Sequence, residues 1–550
     1  MIPRRARHRL IVWAGLLLAV AVVGRDFVVA TTFLGDDHLF RTFARLEPNP
    51  WRAFVHDKHG GEYYRPLPML LWWVLERIGR GSAYPFALMA FALHCACAAL
   101  LVIIAERLAA LTGKPTARSI SVLLPGVLFL LAPAAREAAL WFAASTDLLA
   151  TAAMLAALAC WLSPWPRPLA LASSLLFAIL GLLSKETALA LPLMIGSSGC
   201  LIRCRDGRAG SARARALLVD TLPFLIVAAL YLIVRSVVLG GMGGSNDARA
   251  PLWAVALQIL SGLLHALSAY DPLPDWAAWA MGGLLLVFIV VVLRRSRLAE
   301  GPLEPPRAIT RLLGKGPWEG PLEPPRASSV GPSPPELTRV LAIWTLAALA
   351  PLSAAGWVVG ARYFYGATAP LMLLLALALR QANAVWLTVA ILAAQLGFGA
   401  LAANRRAADI TVYRQAVRAA VAAVNQGVAR GGRVFLVRSG VKDLDLAIKL
   451  DRAASPAVLD TVVIPDVPAS FVRLPPAEEG RLGFLLALPP LPPSGAYRFG
   501  SARIVGLARR EEAPALDDVL ARLPDLRVIR LRLDARPVGW EDVALASTSE

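Results

Sequence analysis

The sequence predicts an α-helical polytopic membrane protein of about eleven transmembrane helices, followed by a small C-terminal α/β domain outside the membrane. Three observations carry that class. Of 550 residues, 57% are hydrophobic and 17% charged, and the mean hydropathy is +0.59, whereas a soluble domain has roughly 45–50% apolar residues. Apolar runs of membrane length recur between residues 10 and 403, separated by short loops in which arginines gather. After residue 404 the composition turns mixed and charged, and such runs stop. The net charge of +18 would suit nucleic acid, but its arginines lie where cytoplasmic loops carry them. It reads as topology, with the lipid bilayer and not nucleic acid as partner.

The chain opens with Arg4, Arg5, Arg7 and Arg9 before the apolar run 10–24. This reads as an uncleaved signal anchor with its basic end in the cytoplasm. A first outer loop, 25–84, follows and contains Gly35-Asp36-Asp37-His38. A window of about 20 residues then places spans at 85–105, 119–133, 138–161, 168–183, 187–202, 217–239, 274–293, 338–359, 363–380 and 382–403. The basic loops 106–118 and 203–215 fall on the cytoplasmic side, as they should. Segment 251–270 is apolar, but counting it would place Arg294, Arg295 and Arg297 outside, so it is expected to lie in the interface or to enter partway. The proline-dense stretch 294–337 repeats Glu-Gly-Pro-Leu-Glu-Pro-Pro-Arg-Ala and reads as a disordered cytoplasmic linker.

Beyond 404, helical spacing at 410–428 and strand-like runs at 433–437, 457–464, 483–488 and 527–533 predict the small α/β domain, 405–550, on the same side as the acidic pair. Cys95, Cys97, Cys160, Cys200 and Cys204 lie in or just beyond apolar runs without zinc spacing, and read as packing residues.

Adjacent carboxylates at the mouth of a membrane segment are costly there, which makes Asp36 and Asp37 a candidate site. Other polar groups map to the same outer ends of the spans: Tyr63-Tyr64-Arg65-Pro66, Arg136-Glu137, Ser184-Lys185-Glu186, Arg235 and Arg362-Tyr363-Phe364-Tyr365. A phosphate at the hydrocarbon edge needs such cations in place of water. Lys185 is one of only six lysines. Each group also has a plainer reading. Asp36-Asp37 suits a helix cap, Lys185-Glu186 a snorkelling pair, Arg136-Glu137 a structural ion pair, Arg362 a span end, Tyr363 and Tyr365 belt aromatics, and Tyr64-Arg65-Pro66 a re-entry turn. His94 reads as a packed helix residue. His38, His56, Asp57 and His59 give weak spacing for a divalent metal, whose involvement stays open.

In order, the acidic pair after the first span, Tyr64-Arg65-Pro66-Leu67, His94, Pro133 through Arg136-Glu137 to Asp147-Leu148-Leu149-Ala150, Leu183-Ser184-Lys185-Glu186, Tyr231 through Arg235, and Arg362-Tyr363-Phe364-Tyr365 resemble the GT-C glycosyltransferases. Within these the chain is similar to the protein O-mannosyltransferase branch (family 39) and its bacterial relatives, over residues 10–403.

The resemblance implies a GT-C-like catalytic domain, 1–404, that transfers a sugar with inversion from a polyprenyl-phosphate donor to an acceptor hydroxyl outside a bacterial cytoplasmic membrane. Asp37 or Asp36 would be the general base, with Asp37 favoured. Lys185 and Arg362, and secondarily Arg65 and Arg235, would bind the departing phosphate. Glu186, Glu137, Tyr64 and Tyr363 would support them. No tightly bound cofactor is expected. The sugar-binding trefoil insertion and the tetratricopeptide tail of some relatives are missing, so the acceptor is a protein, a lipid or a glycan. A transporter or lipid flippase, and a non-catalytic membrane scaffold, are the alternative readings.

Overall fold

A computed structural model describes residues 48–55, 63–111, 122–205, 210–241, 251–267, 275–299, 334–350 and 361–401 with few gaps, scattered positions from 19 to 47, and eight strands after residue 433. The part before residue 402 is a helical bundle. Its helices are α1 Pro66–Gly79, α2 Tyr84–Leu111, α3 Leu124–Leu131, α4 Pro133–Leu140, α5 Ser145–Trp161, α6 Arg167–Leu182, α7 Leu191–Arg205, α8 Gly210–Leu239, α9 Leu252–Leu267, α10 Asp275–Ala299, α11 Pro334–Leu349, α12 Tyr365–Gln381 and α13 Val385–Leu401. Among the described residues three helical segments are long and apolar enough to cross a membrane: Tyr84–Leu111, Phe142–Trp161 and Leu218–Leu239.

These differ in setting. The Phe142–Trp161 segment is 89% buried and Leu218–Leu239 only 22%, so the first is the centre of the bundle and the second its edge. An apolar helix left so uncovered is suited to lipid contact. On α8, Ile233, Val234 and Val237 are exposed while Tyr231 and Arg235 are buried. Residues four apart share a helix face, so this edge helix turns its two polar groups inward.

Several expected spans are not single helices. The run at 119–133 is the eight-residue α3, ended by an extended Ala132 before Pro133. The run at 138–161 starts in α4, breaks at Trp141 and passes a 3-10 turn, Phe142–Ala144, before α5. The run at 187–202 begins with a second 3-10 turn, Glu186–Ala190, and that at 363–380 with a third, Ala361–Phe364. Hydropathy windows miss such breaks because both flanks are apolar. Backbone that leaves the helix at membrane depth is tolerated where protein covers it or a cavity receives it.

Two further boundaries shift. Segment 251–270 forms α9, packed tightly on α10: a Cβ on Gly282 would meet the Leu264 carbonyl oxygen at 2.2 Å. Absent side chains allow helix backbones this close. The linker is shorter than expected at both ends, since α10 runs to Ala299 and α11 begins at Pro334; residues 300–333 lie outside the described residues.

In the C-terminal part, Val434–Arg438 pairs in parallel with Asp460–Val463 and with Leu526–Arg532, and Gly539–Val543 runs antiparallel to the latter. The helix expected at 410–428 lies outside the described residues.

Candidate functional site

The turn between α4 and α5 is the fixed point around which the polar groups assemble. Trp72 on α1 donates its indole N–H to Ser145 Oγ at 2.9 Å, fastening the start of α5. Phe142 meets Phe33 edge-on, with centroids 5.9 Å apart, and Phe33 in turn meets Phe86 at 5.1 Å. Phe40 lies 5.3 Å from the Trp72 ring.

Those contacts place Asp37. Phe33, Asp37, Phe40, Arg41 and Ala44 are all buried, a three-to-four spacing that fits one helical face, and Asp37, Phe40, Arg41 and Ala44 are helical. The acidic residue thus sits on a helical face within the segment 25–84. Arg41 secures this face through Glu76 at 3.3 Å, and Arg77 donates to the Ala44 carbonyl at 2.9 Å. Asp37 is 1% exposed, and its Oδ1 accepts the Ala143 N–H at 2.6 Å. The bond has the chemistry of the cap reading, made across a tertiary contact: α5 lacks a side-chain cap from its own Ala144. Asp36 and His38 lie outside the described residues.

Four residues beyond Ala143, about 6 Å of helix rise, Asp147 occupies the first turn of α5. Both of its carboxylate oxygens receive hydrogen bonds of 2.6 Å from Lys185 Nζ. Each side chain is only 6% exposed. Lys185 reaches this position because α6 ends at Leu182 and the chain turns into the Glu186–Ala190 3-10 segment. The ammonium also lies 4.8 Å from the Tyr363 ring centroid, within cation–π range. Sequence reasoning places Asp147 only within a motif and assigns it no role. The signal was there: a lone carboxylate inside a membrane-length apolar run asks for a partner, and Lys185 is one of few lysines.

The next residue joins two arginines. Glu186 Oε2 accepts from Arg65 Nη2 at 3.0 Å and Nε at 3.3 Å, and its Oε1 accepts from Arg235 Nη1. Arg65 stacks on Tyr63 with its guanidinium carbon 4.2 Å from the ring centroid. Burial opposes ionisation of Glu186, but Arg65 and Arg235 outweigh it and hold the carboxyl at about 2. Burial pulls the Lys185 ammonium below its ordinary value, against the pull of Asp147, while Arg65 adds to the fall.

Backbone bonds fix the frame. Leu67 N–H, one of the amides that a helix start leaves unpaired, donates to Leu183 O at 3.2 Å. Tyr64 donates its hydroxyl to Phe54 O at 3.1 Å, and Tyr231 donates to Tyr64 O at 3.4 Å. Arg65, Lys185, Glu186, Arg235, Tyr64 and Tyr363 therefore come together, as the sequence suggested. They are not bare cations awaiting an anion, however: Lys185 is paired to Asp147, and Arg65 and Arg235 share Glu186.

Two other groups stand apart. Arg136 donates to Gly399 O at 3.2 Å, near the end of α13, and the side chain of Glu137, its expected ion-pair partner, lies outside the described residues. His94 Nε2 donates to Leu130 O at 3.1 Å, which leaves Nδ1 to accept from Tyr365 OH at 3.0 Å; it is a satisfied core histidine. The side chain of Arg362, and His56, Asp57, Lys58 and His59, lie outside the described residues. Among the described residues no cluster of three His, Cys, Asp or Glu side chains forms a metal site.

The chain matches no protein-family model, no curated protein and no solved structure.

Proposed function

We propose that the chain is a membrane glycosyltransferase of GT-C type, moving a sugar from a polyprenyl-phosphate carrier to an acceptor hydroxyl. The observation that carries the reading is the α4–α5 turn, where Asp37 binds Ala143 and, one turn on, Asp147 binds Lys185 beside the Arg65–Glu186–Arg235 group. A carboxylate bonded to this turn, and a set of cations of which Lys185 is bonded to the helix that follows it, are the two halves that sugar transfer from a lipid phosphate requires.

In the proposed reaction the acceptor oxygen attacks the anomeric carbon and its proton passes to Asp37. The bond from that carbon to the phosphate oxygen breaks, and the electron pair leaves with the lipid phosphate. Arg65, Lys185, Arg235 and Arg362 stabilise the charge that develops there. Positioned donors of this kind contribute about 3 kcal/mol each. Pairing with Glu186 orients the guanidinium of Arg65 without exhausting it, since Glu186 takes two of its N–H groups and a guanidinium has five. The finer features belong to the same proposal: eleven spans, an amino terminus in the cytoplasm, and an outer C-terminal α/β domain in a bacterial cytoplasmic membrane.

Purified protein in lipid nanodiscs is incubated with a series of labelled polyprenyl-phosphate sugars, with and without chelator. Transfer, or slow hydrolysis without acceptor, is expected for at least one donor. Neither for any donor would remove the reading.

A further inference from the structure

We infer that Asp147 is the positioning residue of this cation group: it keeps Lys185 an ammonium ion in its buried setting, so that capture of an anion by Arg65, Lys185 and Arg235 needs no proton uptake. The inference rests on the reading that this group binds a lipid phosphate.

The geometry singles Asp147 out. Both its oxygens lie 2.6 Å from Lys185 Nζ, and the pair is closed off from solvent. Among the described residues the groups around the ammonium are Asp147 from α5, Arg65 from the segment ahead of α1, Tyr363 ahead of α12, and Glu186 next to it in the chain, with Arg235 of α8 beyond. Of the two carboxylates, Glu186 is committed to two arginines. Asp147 alone is aligned with Lys185 through both oxygens. An ammonium in such a place without its counter-ion sheds its proton, because burial penalises the charged form. The nearby Arg65 guanidinium pushes in the same direction. Neutral lysine has no charge to offer a phosphate, so binding would first have to restore the proton.

The test measures binding of a fluorescent polyprenyl monophosphate to the full-length protein in nanodiscs. The pH runs from about 7.5 to about 9.5, well above the second pKa of a phosphate monoester at about 6, so the probe keeps its charge. The wild type is expected to bind with constant affinity. Asp147→Asn is expected to lose affinity as pH rises, approaching tenfold per unit, the slope of one coupled proton. Asp147→Asn combined with Lys185→Arg is expected to be flat again, since arginine stays charged without a partner.

A flat profile for Asp147→Asn, or an equal slope in the double variant, overturns the inference. Should the single variant fail to fold, the double variant decides: folded with a flat profile supports the inference, and unfolded overturns it, because Asp147 then serves packing whatever the cation. A wild type that binds no polyprenyl phosphate at any pH overturns the lipid-phosphate reading itself, an outcome distinct from wild-type binding with an insensitive variant.

Discussion

Asp37 combines two roles that substitution can separate. Asparagine keeps an oxygen for the Ala143 N–H but cannot take a proton, so Asp37→Asn should melt above Asp37→Ala. Asp37→Ala removes the acceptor too and should lose about 1 kcal/mol, the usual worth of a helix-start cap; thermal unfolding in detergent checks both. Glu186 is held at about 2 by Arg65 and Arg235, below the ordinary carboxylate value of about 4.3. The unfolded chain therefore binds more protons in acid, and this stabilisation is complete above about pH 4.5 and lost as pH falls toward 2. Glu186→Gln should cost about 3 kcal/mol at neutral pH by stranding two arginines. It should also flatten the acid limb of the melting-temperature profile relative to the wild type, and an unchanged limb would count against this account of the pair. The sequence made Asp37, Arg65, Lys185 and Arg235 visible because charges are costly among apolar runs. What it could not show was the pairing: Asp147 and Lys185 are 38 positions apart, and their union depends on where α6 ends.

At the level of elements, apolar runs revealed where helices lie but not where they break. Ala132 and Trp141 break membrane-length runs and Lys185 separates two of them, each with non-helical backbone, and the polar site is built on two of those breaks. The helical face of Asp37, Phe40, Arg41 and Ala44 was legible as a spacing but was masked by the mixed composition of the first loop. Segment 251–270 was expected as a helix in the interface or partway into it, and it forms the helix α9; what loop charge could not show is its close packing on α10 at Gly282. Gly282 and Gly283 make a sharp test. A Cβ at Gly282 would strike Leu264 backbone at 2.2 Å, whereas nothing lies within 4 Å of one at Gly283. Gly282→Ala should destabilise by about 1–3 kcal/mol through overpacking, and Gly283→Ala should be neutral or gain up to about 1 kcal/mol from helix propensity. Equal melting temperatures for the two variants would argue against the α9–α10 packing.

Across the whole molecule, charge collects at the two ends of the bundle. α5 begins, α6 ends and α7 begins near the Asp147–Lys185 site. At their opposite ends Arg167 on α6 and Arg203 on α7 both pair with Asp220 on α8, and Arg167 lies 3.5 Å from the Trp161 ring centroid. An apolar belt between two polar ends is what a spanning bundle needs. In a variant free of the five native cysteines, a cysteine at exposed Trp51 should react with a membrane-impermeant thiol reagent from outside, and one at exposed Trp165 only after the membrane is opened. Reaction of both from the same side would refute the arrangement. The central claim is that Asp37 and the cations beside it form one catalytic site, and the most direct test assays Asp37→Asn for sugar transfer and for polyprenyl-phosphate binding in one preparation. The account predicts transfer reduced by about 10²- to 10⁴-fold with lipid-phosphate affinity unchanged; transfer at the wild-type rate would contradict it.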